Sequence, residues 1–442
     1  MVGLAVSVAH CHQFVDGFSD WHQNGNPQQA EATPDNKRSQ KRWLLVSIIT
    51  NIGILGFFKY CDFFVDSFVA LFSTFGVSLP QSTLNIILPV GISFYTFQTL
   101  SYTIDVYREK VSPVRNWVQF FAFVSFFPQL VAGPIERAKN LLPQFEKLYR
   151  PNYNTFRNAL LLIAWGFFKK IMIADRLAIF VDAAFQDIPA AAGVPLLLGV
   201  AFFALQLYLD FSAYSDIAIG TAQLFGFQLS INFNAPYLSV SFTEFWKRWH
   251  ISLSSWFQDY VYIPLGGNRE GKFRTILNVA IVFAVSGLWH GASWNFVIWG
   301  LLNAGFLIFF DKILFAVKGK RPIVQMLKSV FIFTCWALSL VFFRSAGFDA
   351  ALNCFKNLNF TYTENLLNFG LNAAELKLSL ALILIVLVKE ILWKRYDKQI
   401  QTNFFRIPLI FRWLCYLVLI LSIVYFGQYG GDNENAFIYF QF

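Results

Sequence analysis

The chain has 442 residues, of which 56% are hydrophobic and 14% charged, against about 25% charged in soluble globular proteins. With a mean hydropathy of +0.49, this composition excludes an ordinary soluble enzyme and points to an all-α, polytopic transmembrane helical bundle. The net charge of +9 does not require nucleic acid, because basic loops are expected on the cytoplasmic side of a membrane protein, and no nucleic-acid partner is expected. Cys11, Cys61, Cys335, Cys354 and Cys415 are odd in number, scattered and without a CxxC pair, so they indicate neither a disulfide framework nor a zinc site.

Residues 1–36 differ in character from the rest. The stretch "HCHQFVDGFSDWHQNGNPQQAEATPDNK" is polar and lacks a helical or alternating apolar period. It has no basic start followed by a long apolar run, so it is a poor signal peptide. His10, His12 and His22 raise the idea of a metal site, but the composition favours a poorly ordered polar segment, and no metal is expected. Residues 37–442 are read as one membrane domain.

A crossing helix needs about 20 mostly apolar residues. Runs that approach this are Trp43–Phe58, Phe63–Val77, Leu84–Ile104, Trp117–Val131, Ala159–Ile173, Ala190–Leu209, Ile217–Phe227, Ile276–Trp289, Trp294–Phe310, Leu327–Phe343, Leu376–Leu392 and Phe411–Phe426. Several are short, which predicts tilted, re-entrant or interfacial helices. Irregular backbone at that depth is tolerated only inside protein or beside a wet cavity. Basic clusters between the runs, including "KRSQKR" at 37–42, Lys169 and Lys170 with Arg176, Arg269 to Arg274, and Lys312 to Lys328, are placed mostly on the cytoplasmic side.

Residues 241–268, "SFTEFWKRWHISLSSWFQDYVYIPLGGN", read as an amphipathic helix leading into a turn. Phe242, Phe245, Trp249, Leu253, Trp256 and Tyr260 form its apolar stripe. Beside them run Thr243, Lys247, His250, Ser254 and Gln258, a polar row suited either to a wet entrance or to lipid headgroups.

His290, in "GLWHGASWNF", sits in a stretch with no side chain charged at neutral pH from Thr275 to Trp289 or from Trp294 to Phe310. An ionisable group there is a functional-site candidate. Ser286, Gly287, Gly291, Ala292 and Ser293 around it permit close approach by a helix or a ligand, and an interhelical hydrogen bond is the plainer use. Desolvation disfavours imidazolium, so a buried His290 is expected to be neutral near pH 7, with one ring nitrogen free to take a proton. That is what a general base for an attacking hydroxyl requires.

Other chemistries find less support. No G-x-S-x-G occurs in the sequence, so a nucleophile elbow is not indicated. "GGNREGKF" (266–273) nearly matches a phosphate loop, but Phe273 stands where Ser or Thr would bind magnesium; it is read as a basic turn. Asp210 and Asp216 are separated by about 600° of helical rotation and share no face, which disfavours a proton-coupled carboxylate pair.

Together "FFPQLVAGPIERAKNLLPQF" (126–145), "YLDFSAYSDIAIG" (208–220), "FWKRWHISLSSWFQDYVYIPLGGNREG" (245–271), "SGLWHGASWNFVIWG" (286–300) and "FIYFQF" (437–442) resemble the membrane-bound O-acyltransferase (MBOAT) superfamily. Within it they look most like the bacterial alginate O-acetyltransferase branch, and are similar also to proteins that D-alanylate teichoic acids. The resemblance runs from about Lys37 to Phe442 in one order.

It implies an MBOAT-type ring with a central tunnel and short re-entrant helices. An acyl thioester, acetyl-CoA or an acylated carrier, would enter from the cytoplasm, and a hydroxyl of an exported polysaccharide such as alginate from outside. The family's catalytic histidine maps onto His290 and a second histidine of this branch onto His250, which would position the donor or steady the oxyanion. Lys247, Arg248, Trp249, Ser254, Asp259 and Asn295 would line the tunnel or touch substrate. No tightly bound cofactor is implied. Lipid, an extracytoplasmic acetylation partner protein and a place in the bacterial inner membrane are. Family members usually open with further hydrophobic helices before the position of Lys37, where this chain has its polar segment.

Two other classes remain open. A polysaccharide conduit or proton-coupled transporter would favour paired carboxylates or broken repeats in matched halves, and a membrane scaffold would leave the polar row and His290 without a task. Within the enzyme reading, a D-alanyl or other wall-polymer acyltransferase is the alternative.

Overall fold

The computed structural model describes residues 34–80, 86–150, 152–316, 321–362, 365–429 and 436–438. The polar N-terminal residues 1–33, with His10, His12 and His22, lie outside them. Among the described residues the regular structure is helical, apart from one isolated antiparallel bridge between Gly193 and Tyr362. Six helical stretches among them are long and apolar enough to cross a membrane: Lys37–Thr74, Val194–Leu224, Lys272–His290, Trp294–Leu314, Pro322–Arg344 and Leu409–Phe426. The protein is a multi-pass, all-α membrane protein.

The chain forms two compact units, residues 1–152 with 222–230, and residues 153–221 with 231–442. In the first, α1 (Pro34–Leu55) runs through a π turn at Gly56–Tyr60 into α2 (Cys61–Thr74). The expected spans Trp43–Phe58 and Phe63–Val77 are therefore one helix, since Lys59 and Asp62 interrupt its hydropathy without breaking its backbone. Against α1 packs α3 (Ile92–Tyr107), where the Thr99 hydroxyl donates to Asn51 Oδ1 at 2.8 Å. The run Trp117–Val131 is helical only over α4 (Trp117–Val124), whose first free amides are capped by Asn116 Oδ1.

The second unit begins with α5 (Tyr153–Phe167), a π turn at Phe168–Ala174 and α6 (Asp175–Gln186). Its central element is α7 (Val194–Leu224), the most deeply buried of the spans. It takes in most of both expected runs, Ala190–Leu209 and Ile217–Phe227, with the polar "DFSAYSD" left inside one helix. That polar stretch meets the paired lysines of the π turn. Lys170 Nζ lies 2.7 Å from Asp210 Oδ1 and 2.8 Å from Asp175 Oδ1, and Lys169 Nζ lies 2.8 Å from Asp216.

Lys169, Lys170 and Arg176 are thus buried, so they do not form an exposed basic loop between two spans. Each lysine has its own carboxylate, and a buried charge is tolerated when it is paired and hydrogen-bonded. The same cluster holds the C-terminal segment: the Ile438 amide donates to Asp210 Oδ2 at 2.9 Å, and Lys170 donates to the Ala436 carbonyl at 3.3 Å.

The rest of the unit supplies the site. Helix α8 (Phe242–Trp246) and α9 (Ile251–Phe257) are short, and a π turn at Gln258–Tyr262 follows. Then come α10 (Lys272–His290) and α11 (Trp294–Gly305), which form a tight hairpin, and α12 (Pro322–Arg344), α13 (Ala373–Arg406) and α14 (Leu409–Phe426). Gly287 and Gly300 face the backbone of the opposite arm at Phe296 and Phe283, where an added Cβ would stand 2.1 Å from a carbonyl oxygen in each case. Only glycine admits that approach.

Between α9 and α10 the turn "GGNREG" has Gly266, Gly267 and Gly271 at φ of 101°, 59° and 89°. Asn278 of α10 donates to the carbonyls of Leu265 and Gly267 at 3.1 and 2.9 Å. The segment is a tight turn braced by a helix, as its glycines suggest.

Candidate active site

The expected continuous helix over 241–268 is broken, and the break is at His250. This residue has φ 42° and ψ 54°, a left-handed conformation rare for a side chain of its size. The segment around Asn232 compensates: Ile251 N donates to the Asn232 carbonyl at 2.9 Å, Ser252 N to Asn232 Oδ1 at 3.3 Å, and Asn234 N to the Arg248 carbonyl at 3.0 Å. Asn232 therefore caps α9 from a distance of 18 residues in sequence. The start of α8 is fixed by buried Asp311, which accepts from the amides of Phe242 and Thr243 at 2.5 and 2.8 Å.

His250 is 1% exposed. Phe211 packs edge-on to its ring at 4.7 Å, and Nδ1 lies 3.1 Å from Asn232 Oδ1. Burial, and next to it the charge that His290 would carry, push its pKa well below the ordinary value of 6.5. His250 is accordingly neutral at physiological pH.

His290 closes α10. Its ring lies 5.0 Å from Trp289, 5.2 Å from Trp299 and 5.5 Å from Phe343. Trp289 also meets His250, at 6.2 Å, so the two imidazoles gather on one indole although they are 40 positions apart in the sequence.

A cavity of about 310 Å³ is lined by Thr243, Lys247, Ser254 and Gln258 among other residues, with Trp246, Phe283 and Ser286 as further walls, and neither histidine is part of its lining. Four members of the polar row thus face one space, and Ser286 is one helical turn before His290. Among the described residues the lining carries no carboxylate.

The other expected residues are placed differently. Trp249 belongs to a buried aromatic core, 4.7 Å from Trp336 and stacked on Phe245 at 5.8 Å. Arg248 pairs with Glu244 at 2.7 Å and donates to the Asn234 carbonyl at 3.0 Å. Asn295 is buried and donates from Nδ2 to the Ser345 carbonyl at 3.0 Å. Asp259 lies in the π turn after α9. None of these four lines the cavity. Their expected place along the tunnel rests on the family resemblance and not on helical periodicity.

Asn232 and Ser252 escaped notice in the sequence. The only hint of Asn232 is a single polar residue between Ile231 and Phe233.

A probable alginate O-acetylase of Azotobacter vinelandii is 41% identical over 352 residues, 79% of this chain and 69% of that protein. A peptidoglycan O-acetyltransferase of Helicobacter pylori is 36% identical over 72% of this chain and 65% of its own length. A teichoic acid D-alanyltransferase of Streptococcus thermophilus is 32% identical over 52% and 58%. The chain thus spans between about half and 69% of the curated relatives it matches. The model of the membrane-bound O-acyltransferase family matches residues 46–343, which include both histidines. On these grounds the chain belongs to the membrane-bound O-acyltransferase family.

Proposed function

We propose that the protein is an O-acetyltransferase that moves an acetyl group from a cytoplasmic thioester to hydroxyls of an exported polysaccharide such as alginate. The observation that carries this reading is the meeting of His290 and His250 on Trp289.

In the reaction, the acceptor oxygen attacks the thioester carbonyl carbon while His290 takes the hydroxyl proton. A C–O bond forms and the C–S bond breaks. The proton then passes from His290 to the departing thiolate, which leaves as a thiol. A positioned base of this kind contributes about 10²–10⁴-fold. The donor is acetyl-CoA or an acylated carrier protein, and no tightly bound cofactor takes part. Lys247 provides a positive charge at the cavity for an anionic donor.

Transfer of a D-alanyl group, as named for the Streptococcus relative, is the second reading. Its ammonium would meet Lys247 and no carboxylate among the described lining residues, which favours the neutral acetyl group. The bacterial inner membrane and an extracytoplasmic acetylation partner complete the proposal, as the family resemblance implies.

The test supplies membranes containing the protein with labelled acetyl-CoA or labelled D-alanyl carrier, each with exported polysaccharide. Label from acetyl-CoA in the polymer supports the proposal; label from D-alanine alone replaces it with the second reading.

A further inference from the structure

Asn232 makes more contacts with the His250 region than a helix cap requires. Its Oδ1 accepts from Ser252 N at 3.3 Å, from the Ser252 hydroxyl at 2.9 Å, and lies 3.1 Å from His250 Nδ1. The Ser252 backbone amide can only donate, so the atom facing it is the amide oxygen of Asn232, not its nitrogen. An oxygen lone pair at 3.1 Å from Nδ1 then demands a proton on Nδ1. In a neutral imidazole the other nitrogen is bare. Nε2 is buried, and no hydrogen-bond partner reaches it among the described residues.

We infer that Asn232 is a positioning residue that holds His250 as the Nδ1–H tautomer and so presents Nε2 to the reaction as a hydrogen-bond acceptor. A bare nitrogen cannot steady an oxyanion, which needs a donor. The group that meets Nε2 must bring its own proton. On the acyltransfer reading above, on which this role rests, that group is an N–H or a neighbouring O–H of a substrate, since the proton of the attacking hydroxyl goes to His290.

The surroundings reinforce the tautomer. His290 is the titratable group that acts on His250, and Phe211, Phe233 and Trp289 cover its ring elsewhere. A neutral imidazole among them has one fixed polar contact, and Asn232 supplies it.

The test uses the full chain in detergent, labelled with ¹⁵N-histidine, with the His250 signals assigned by their loss in His250→Gln. Nitrogen chemical shifts should show Nδ1 protonated and Nε2 bare near pH 7. In Asn232→Ala the Nε2–H tautomer should appear. Asn232→Asp keeps the acceptor oxygen and the cap but adds a negative charge. It should move the acid limb of acetyl transfer up by about 1 pH unit or more, because more of His250 is protonated at a given pH.

A wild-type His250 protonated on Nε2 would overturn the inference, as would an Asn232→Asp enzyme whose acid limb stays where the wild type's is. If the wild-type protein transferred no acetyl group at all, the proposed function would fall, while the nitrogen spectra would still decide what Asn232 does.

Discussion

Gly287 lies against the backbone of Phe296, so closely that a Cβ at 287 would stand 2.1 Å from the Phe296 carbonyl oxygen. Gly287→Ala should therefore spread the α10–α11 hairpin. Overpacking of this kind costs about 1–3 kcal/mol, and His290 sits three residues further on, so acetyl transfer should fall with stability. Gly305→Ala is the control. Nothing lies within 4 Å of a Cβ there, so it should change the melting temperature little or raise it, alanine being favoured over glycine in a helix by about 1 kcal/mol.

Stability should depend on pH through His250. Its folded pKa is depressed below 6.5, so the unfolded chain binds more protons than the folded one once the pH drops below that value. The stabilising effect of a neutral, buried His250 is complete above pH 6.5 and is lost as the pH falls toward the folded pKa, by up to about 1.4 kcal/mol per pH unit. Thermal inactivation in detergent across this range measures it. In His250→Gln the slope should be shallower; an unchanged slope would assign it to other groups.

Lys247 and Arg248 are neighbours with different tasks. Lys247 lines the cavity, whereas Arg248 bonds Glu244 and Asn234. Lys247→Ala should raise KM for the thioester several-fold with little loss of protein from the membrane. Arg248→Ala should instead lower stability by about 1 kcal/mol and leave KM near the wild-type value. Steady-state kinetics with melting curves separate the two.

The C-terminal segment depends on a buried ion cluster. Lys170→Met leaves Asp175 and Asp210 without their cation, and removing one partner of a buried pair costs about 3–5 kcal/mol. Ile438 should then lose its anchor on Asp210, and the C-terminus should become sensitive to carboxypeptidase. Resistance equal to the wild type's would show that the cluster does not hold the segment.

The helical class, the membrane setting and the two histidines were legible in the sequence because each rests on local composition. An apolar run reports its own solvent, and His290 stands out against one. Features that depend on distant partners were not. Lys169 and Lys170 read as an exposed basic cluster because nothing nearby reveals Asp210 and Asp216, some 40 residues on, as their counter-ions. The amphipathic pattern of 241–268 is real, but the break at His250 is supported by Asn232, whose backbone and side chain satisfy the amides that the broken helix frees. Helical periodicity cannot show such a break.

The most direct measurement is acetyl transfer from labelled acetyl-CoA to exported polysaccharide by membranes carrying the wild type or His290→Ala at equal protein levels. Label in the polymer with the wild type and a loss of at least about 10²-fold with the variant is the expected result. Equal labelling by both would contradict the role of His290 as the base.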